Sequence, residues 1–119
     1  MTLLTREAFR AAVLMRDGHK CVVCKRGAAD AHHIIERRLW TDGGYYLENG
    51  ASLCEEHHKA AEATVLSCEE LRTASGINVI ALPLHFDREE RYDKWGNVFL
   101  ANGMRVQANC SLMSLSRRS

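Results

Sequence analysis

The 119-residue chain has the pattern of a small α+β domain: a β-hairpin with helices before and after it. Three observations carry that reading. Helical periodicity occupies both ends of the stretch from Thr5 to Leu66, and short apolar or β-branched runs lie between them. Chelating side chains also recur from Cys21 to His58, and a chain of 13.4 kDa, with its modest core, gains stability from a metal staple.

Thr5 is placed as an N-cap, with Arg6-Glu7-Ala8 as the first turn and Phe9, Ala12, Val13 and Arg16 along one face. Asp17-Gly18 stops this helix, since glycine suits the left-handed position after a helix end. The chain then turns sharply into Cys21-Val-Val-Cys24, whose two thiols converge on one ion. Around Ala31 to Ile35 no helical period persists and Ile34-Ile35 is β-branched, which predicts a short strand carrying His32 and His33. Asp42-Gly43-Gly44 marks a turn, and Asn49-Gly50 a second, of the kind that closes a tight hairpin. Ala51-Ser52-Leu53 is the returning strand, and it ends at Cys54.

A helix is expected from Glu55 to about Leu66, because Glu55 and Glu56 suit its positive end and Lys59 to Ala63 favour helix. Ser67-Cys68-Glu69-Glu70 matches a capping box and opens a shorter helix that runs to about Ser75 before Gly76. Residues 1–76 are thus read as the core domain and 77–119 as an extension. The extension is apolar from Ile77 to Leu84 and charged from Asp87 to Asp93, with turns at Trp95-Gly96-Asn97 and Asn102-Gly103. Residues 111–119, rich in Ser and Arg without periodicity, are expected to be disordered.

Composition narrows the function classes. Apolar residues at 46% and charged residues at 26% are those of an ordinary globular chain, and no apolar run approaches the roughly 18 residues that span a bilayer. The first residues are too short in apolar character for a secretory signal, so the protein is expected in the cytoplasm, away from membranes. Five cysteines, an odd number with C-x2-C spacing, favour thiolate ligands over disulfides. A formal charge of +1 excludes nucleic-acid binding by overall charge alone. Local clusters must carry it: Arg37-Arg38 beyond the histidines is the stronger candidate for phosphate contact, and Lys25-Arg26 the weaker.

The ligand count exceeds one metal. Tetrahedral zinc takes four N or S donors, which Cys21, Cys24, Cys54 and one histidine of the pair His57-His58 supply. His57 is the better fourth ligand, because it lies three residues from Cys54 on a helix start, whereas His58 is rotated by about 100°. That rotation frees His58, and Glu62, four residues on, can point to the same place. Surplus histidines beside a closed zinc suit either a second, open metal site or a general base.

The order Cys-x2-Cys, then His32-His33-Ile, then Asn49-Gly-Ala-Ser-Leu-Cys54-x2-His57-His58 resembles the HNH endonucleases, whose ββα-metal core packs a hairpin on a helix around a divalent ion. The match covers about residues 6 to 66. The resemblance implies that His33 is the general base that deprotonates water. It further implies that Asn49 orients His33 or its loop, and that His58 is both a catalytic residue and a ligand of the catalytic ion. His32 stands where the family has a metal-binding Asp or His, and Glu62 sits where some members complete the shell. The family usually has Cys at the place of His57, and the exchange keeps a zinc ligand.

The expected function is hydrolysis of phosphodiester bonds in DNA, by nicking or double-strand cleavage. It would use a structural Zn²⁺ and a catalytic Mg²⁺, Mn²⁺, Ni²⁺ or Zn²⁺. A noncatalytic zinc module that binds nucleic acid or protein, or a nuclease acting on RNA, is the alternative. One condition attaches. Adjacent residues on a regular strand face opposite ways, so His32 and His33 serve one site only if the strand ends or bulges there.

Overall fold

The computed structural model describes residues 1–107, which form three α-helices and two small two-stranded antiparallel sheets. The tail expected to be disordered lies outside the described residues, as does Cys110.

Helix α1 (Arg6–Arg16) starts where the sequence places it: the Thr5 hydroxyl accepts the Ala8 N–H at 3.1 Å, and Gly18 leaves the helix with φ 65°. Phe9, Val13 and Leu14 are its buried side chains. Strand β1 (Asp30–His33) pairs with β2 (Gly50–Leu53) in a regular register, from Asp30 opposite Leu53 to His33 opposite Gly50.

Two expectations about this hairpin are corrected. The strand stops at His33, and Ile34 and Ile35 follow it as fully buried residues outside the ladder. Nor does Asn49-Gly50 form a tight turn. The connection runs from Ile34 to Asn49 through two single turns of 3₁₀ helix, Arg37–Leu39 and Leu47–Asn49, and Gly50 is extended at φ −124°. Steric space explains this glycine: a Cβ at residue 50 would strike the Val13 side chain and the Phe9 ring, so α1 can lie close on the hairpin only over a bare backbone.

The hairpin is sandwiched between α1 and helix α2 (Glu55–Glu62). Gly50 faces Val13 and Phe9 of α1, and the Ser52 hydroxyl donates to the Val13 carbonyl at 3.2 Å. His32, on the alternate face, meets His58 of α2. Helix α2 is shorter than expected. Thr64 takes φ 60°, the Val65 N–H turns back to the Ala60 carbonyl at 2.9 Å, and the Trp95 indole N–H caps the Glu62 carbonyl at 2.9 Å. These partners satisfy the helix end that would otherwise extend.

Helix α3 (Cys68–Ala74) opens with both capping-box bonds, Glu70 N–H to Ser67 Oγ at 3.0 Å and Ser67 N–H to Glu70 Oε1 at 2.9 Å. Ile34, Ile35, Leu53 and Leu71 form the centre of the core, and Trp40 packs on it with its indole N–H on the Ile35 carbonyl at 3.3 Å. Ile77, Ala81 and Phe86 belong to the same core, so residues after 76 complete it. Strands β3 (Asn97–Phe99) and β4 (Arg105–Gln107) form the second sheet. Among the described residues no helix is long and apolar enough to cross a membrane.

Candidate functional site

Cys21 and Cys24 lie on the turn between α1 and β1, Cys54 caps α2, and His57 completes the first turn of that helix. One ligand atom from each lies within 4.8 Å of every other. Tetrahedral zinc, with Zn–S near 2.3 Å and Zn–N near 2.0 Å, sets S···S edges of about 3.8 Å and S···N edges of about 3.5 Å. Cys24 Sγ stands 3.8 Å from Cys54 Sγ, while His57 Nδ1 stands 3.6 Å from Cys21 Sγ and 3.2 Å from Cys54 Sγ. The sulfurs are too far apart for a disulfide and right for a shared ion. Zinc requires thiolates, and the Arg26 guanidinium, donating to Cys24 Sγ at 3.3 Å, holds that thiol down to about 6. Arg26 also pairs with Glu56 at 2.7 Å, with both side chains exposed. Cys68 is no competitor. It is buried against the Ile34 carbonyl, where burial pushes its thiol up to about 12.

The rotation between His57 and His58 separates their roles. His58 Nε2 lies 3.0 Å from Glu62 Oε1, and its ring meets that of His32 edge to face at 5.0 Å. His32, His58 and Glu62 thus make a second cluster with ligand atoms within 4.8 Å of one another. His32 is 3% exposed and its Nε2 has no hydrogen-bond partner, although buried polar atoms are nearly always paired. Burial first, then the charges of Lys94 and His58, lower the His32 pKa to about 2, so its imidazole is neutral. Two imidazole nitrogens and a carboxylate fit a divalent ion that keeps open positions.

His33 is not in that cluster. The ladder is regular through His33 opposite Gly50, without a bulge, and the adjacent histidines leave opposite faces of β1. His33 stacks on Phe9 with centroids 4.7 Å apart and meets the Tyr45 ring edge-on at 5.2 Å. The single pocket expected around His32, His33 and His58 is therefore divided into two clefts. One is lined by Asp30, His58 and Glu62, the other by Arg6, Arg10, Asp30, His33, Arg37 and Tyr45. Asp30 borders both. Burial first, then Lys94, lower the His33 pKa to about 4, against the opposing influence of a backbone hydrogen bond with Gly43 and of Glu36.

Asn49 is 1% exposed and acts on the loop. Its Oδ1 accepts the Ile35 N–H at 2.9 Å, and its Nδ2 donates to the carbonyls of Ile35 and Gly44 at 3.1 and 3.2 Å. The main-chain carbonyl of Asn49 accepts the Ile34 N–H at 2.8 Å. Of the two arginines expected to hold phosphates, Arg37 lines the His33 cleft, where its hydrogen bond to Tyr45 raises its pKa. Arg38 is exposed and outside that lining.

Sequence reasoning missed Lys94. It is 6% exposed, donates from Nζ to the His33 carbonyl at 2.9 Å and pairs with Glu36 at 3.6 Å. The turn signal at Trp95-Gly96-Asn97 was legible, and Asp93 builds that turn by accepting the N–H groups of Trp95 and Asn97, each at 2.9 Å. Nothing local, however, announces a contact 61 residues away. Arg6 and Arg10 were also missed, although two like charges at i, i+4 are a visible cost on a helix. Set against protein-family models, characterised proteins and solved structures, the chain finds no match in any of the three.

Proposed function

We propose that this protein is a metal-dependent endonuclease of the HNH kind, hydrolysing phosphodiester bonds in DNA. The observation that carries the reading is the second ligand cluster of His32, His58 and Glu62, separate from a complete Cys3His set. A noncatalytic zinc module needs the first and has no use for the second, whose buried histidine nitrogen is left without a partner.

On this reading Cys21, Cys24, Cys54 and His57 hold zinc and fix the turn before β1 to the start of α2. His32, His58 and Glu62 would hold the catalytic ion, which when bound supplies positive charge to the phosphate oxygens and the leaving group. His33 accepts the proton of the attacking water. Its half-buried, neutral ring, clamped between Phe9 and Tyr45, has a vacant acceptor at neutral pH. Lys94 and Asn49 fix the main chain at and just after that base, at the His33 carbonyl and at Ile34-Ile35. The two histidines leave opposite faces of β1, so base and ion can meet only over its free edge. A phosphodiester lying over the free edge of β1 would reach the ion on one side and His33 on the other.

Supercoiled plasmid incubated with the zinc-loaded protein and Mg²⁺, Mn²⁺ or Ni²⁺ tests this. Nicked or linear product is expected, with His33→Ala inactive at unchanged zinc content. Equal cleavage by wild type and His33→Ala would remove His33 from the mechanism. No cleavage of DNA with any of the ions, but cleavage of RNA, would change the substrate. No cleavage of either would favour the binding module.

A further inference from the structure

The His33 cleft carries more positive charge than holding a base requires. Arg6 and Arg10 project into it from the first turns of α1, and Arg37 enters from the loop after β1. Arg6 and Arg10 are four apart, so they repel each other along the helix, and cations in a first turn oppose the helix dipole. The acidic counterpart is slight. Asp30 approaches Arg10 at 3.6 Å with both side chains about half exposed, an arrangement that binds weakly, and Asp30 Oδ1 already accepts the Ala31 N–H at 2.8 Å. Among the described residues no carboxylate ion-pairs with Arg6 or Arg37, and Arg37 is oriented by Tyr45. Three guanidiniums, a tyrosine and a histidine with a buried, unpartnered Nε2 thus share one cleft against one carboxylate.

We propose that Arg6, Arg10 and Arg37 form a phosphate-binding site for the nucleic-acid backbone, on the face of β1 opposite the His32–His58–Glu62 cluster. Guanidinium suits this ligand because its planar fork gives paired bonds to phosphate oxygens. The two clefts meet at Asp30, so a strand whose scissile phosphodiester lies over the edge of β1 places a neighbouring phosphate on the arginines. The site binds backbone, with no base-reading groups required. The inference rests on the nuclease reading for the identity of its ligand, DNA, but not for its measurement.

The test uses binding without cleavage. The zinc-loaded full chain, with no other divalent ion, is titrated against a short fluorescent DNA duplex at several salt concentrations. Arg6→Gln, Arg10→Gln and Arg37→Gln should each weaken binding by about fivefold to tenfold and lower the slope of log affinity against log salt by about 1. Glutamine keeps good helix propensity, and circular dichroism with zinc content confirms that each variant is folded. Arg88→Gln, which removes an exposed arginine outside both clefts, should leave affinity within twofold and provides the comparison for charge alone. Arg6→Lys should recover part of the loss. Unchanged affinity and slope in a variant that combines Arg6→Gln, Arg10→Gln and Arg37→Gln would overturn the site, as would a loss no larger than that of Arg88→Gln. Since cleavage is scored separately, an active nuclease with an indifferent cleft, and a DNA-binding cleft without nuclease activity, are distinct results.

Discussion

The side-chain amide of Asn49 pairs with the main chain of Ile35 at both ends, accepting its N–H at 2.9 Å and donating to its carbonyl at 3.1 Å. It takes the place of a strand neighbour just where β1 has left the ladder, and so fixes the chain after His33 without touching the His33 ring. Asn49→Ala is predicted to leave the buried Ile35 N–H unpaired, at a cost of about 1–3 kcal/mol, while the carbonyls of Ile35 and Gly44 lose one donor each and keep the Trp40 indole N–H and the Tyr46 N–H. A loss of about 1–3 kcal/mol in chemical denaturation is expected. Asn49→Asp should be no better, because a carboxylate cannot donate to the carbonyls of Ile35 and Gly44. An Asn49→Ala protein of wild-type stability but reduced activity would instead assign Asn49 to the chemistry.

On the proposed reading, zinc binding is a folding term in this chain. Structural zinc sites in small domains contribute apparent free energies of about 10–16 kcal/mol, as large as the whole stability of a typical domain. Cys21 is fully buried between the turn and α2, so Cys21→Ser should unfold or aggregate the protein, and a strong chelator should do the same to wild type. Circular dichroism with metal analysis measures both. A folded, zinc-free Cys21→Ser protein would contradict the assignment.

Gly50 is predicted to be intolerant for a reason unrelated to turns. Gly50→Ala drives a methyl into Val13 and Phe9, and overpacking of this kind costs about 1–3 kcal/mol. Phe9 also stacks on His33, so cleavage should fall together with the melting temperature. A Gly50→Ala variant as stable as wild type would mean that α1 sits further from the hairpin.

The acid limb of a pH–rate profile should report the environment of His33. A base with its folded pKa lowered to about 4 stays neutral as pH falls through the ordinary histidine value of about 6.5, and loses activity only nearer 4. Lys94 is among the causes that lower it, so removing that charge in Lys94→Met raises the His33 pKa and moves the acid limb to higher pH. Movement to lower pH, or none, would show that Lys94 acts through structure alone.

Much of the site was legible because local rules decide it. Thr5, Gly18 and the Ser67–Glu70 box set helix ends by hydrogen bonds within a few residues, and the angle between consecutive helical residues separates His57 from His58. What was not legible depends on packing across the chain. Asn49-Gly50 looks like a turn, yet Gly50 answers to Val13 and Asn49 to Ile35. The end of α2 depends on a tryptophan from the extension, and the loop lysine Lys94 is buried only because the chain returns to the end of β1. The same pleat that makes β1 regular parts His32 from His33, a consequence visible in sequence only as a condition.

The account stands on a second divalent site that is separate from zinc. Calorimetric titration of the zinc-loaded protein with Mn²⁺ or Ni²⁺, with zinc assayed before and after, addresses it most directly. Wild type should bind one added ion while keeping its zinc, and His32→Ala and His58→Ala should each weaken that binding at least about tenfold with zinc retained. No added ion in wild type, or the same affinity in both variants, would contradict it.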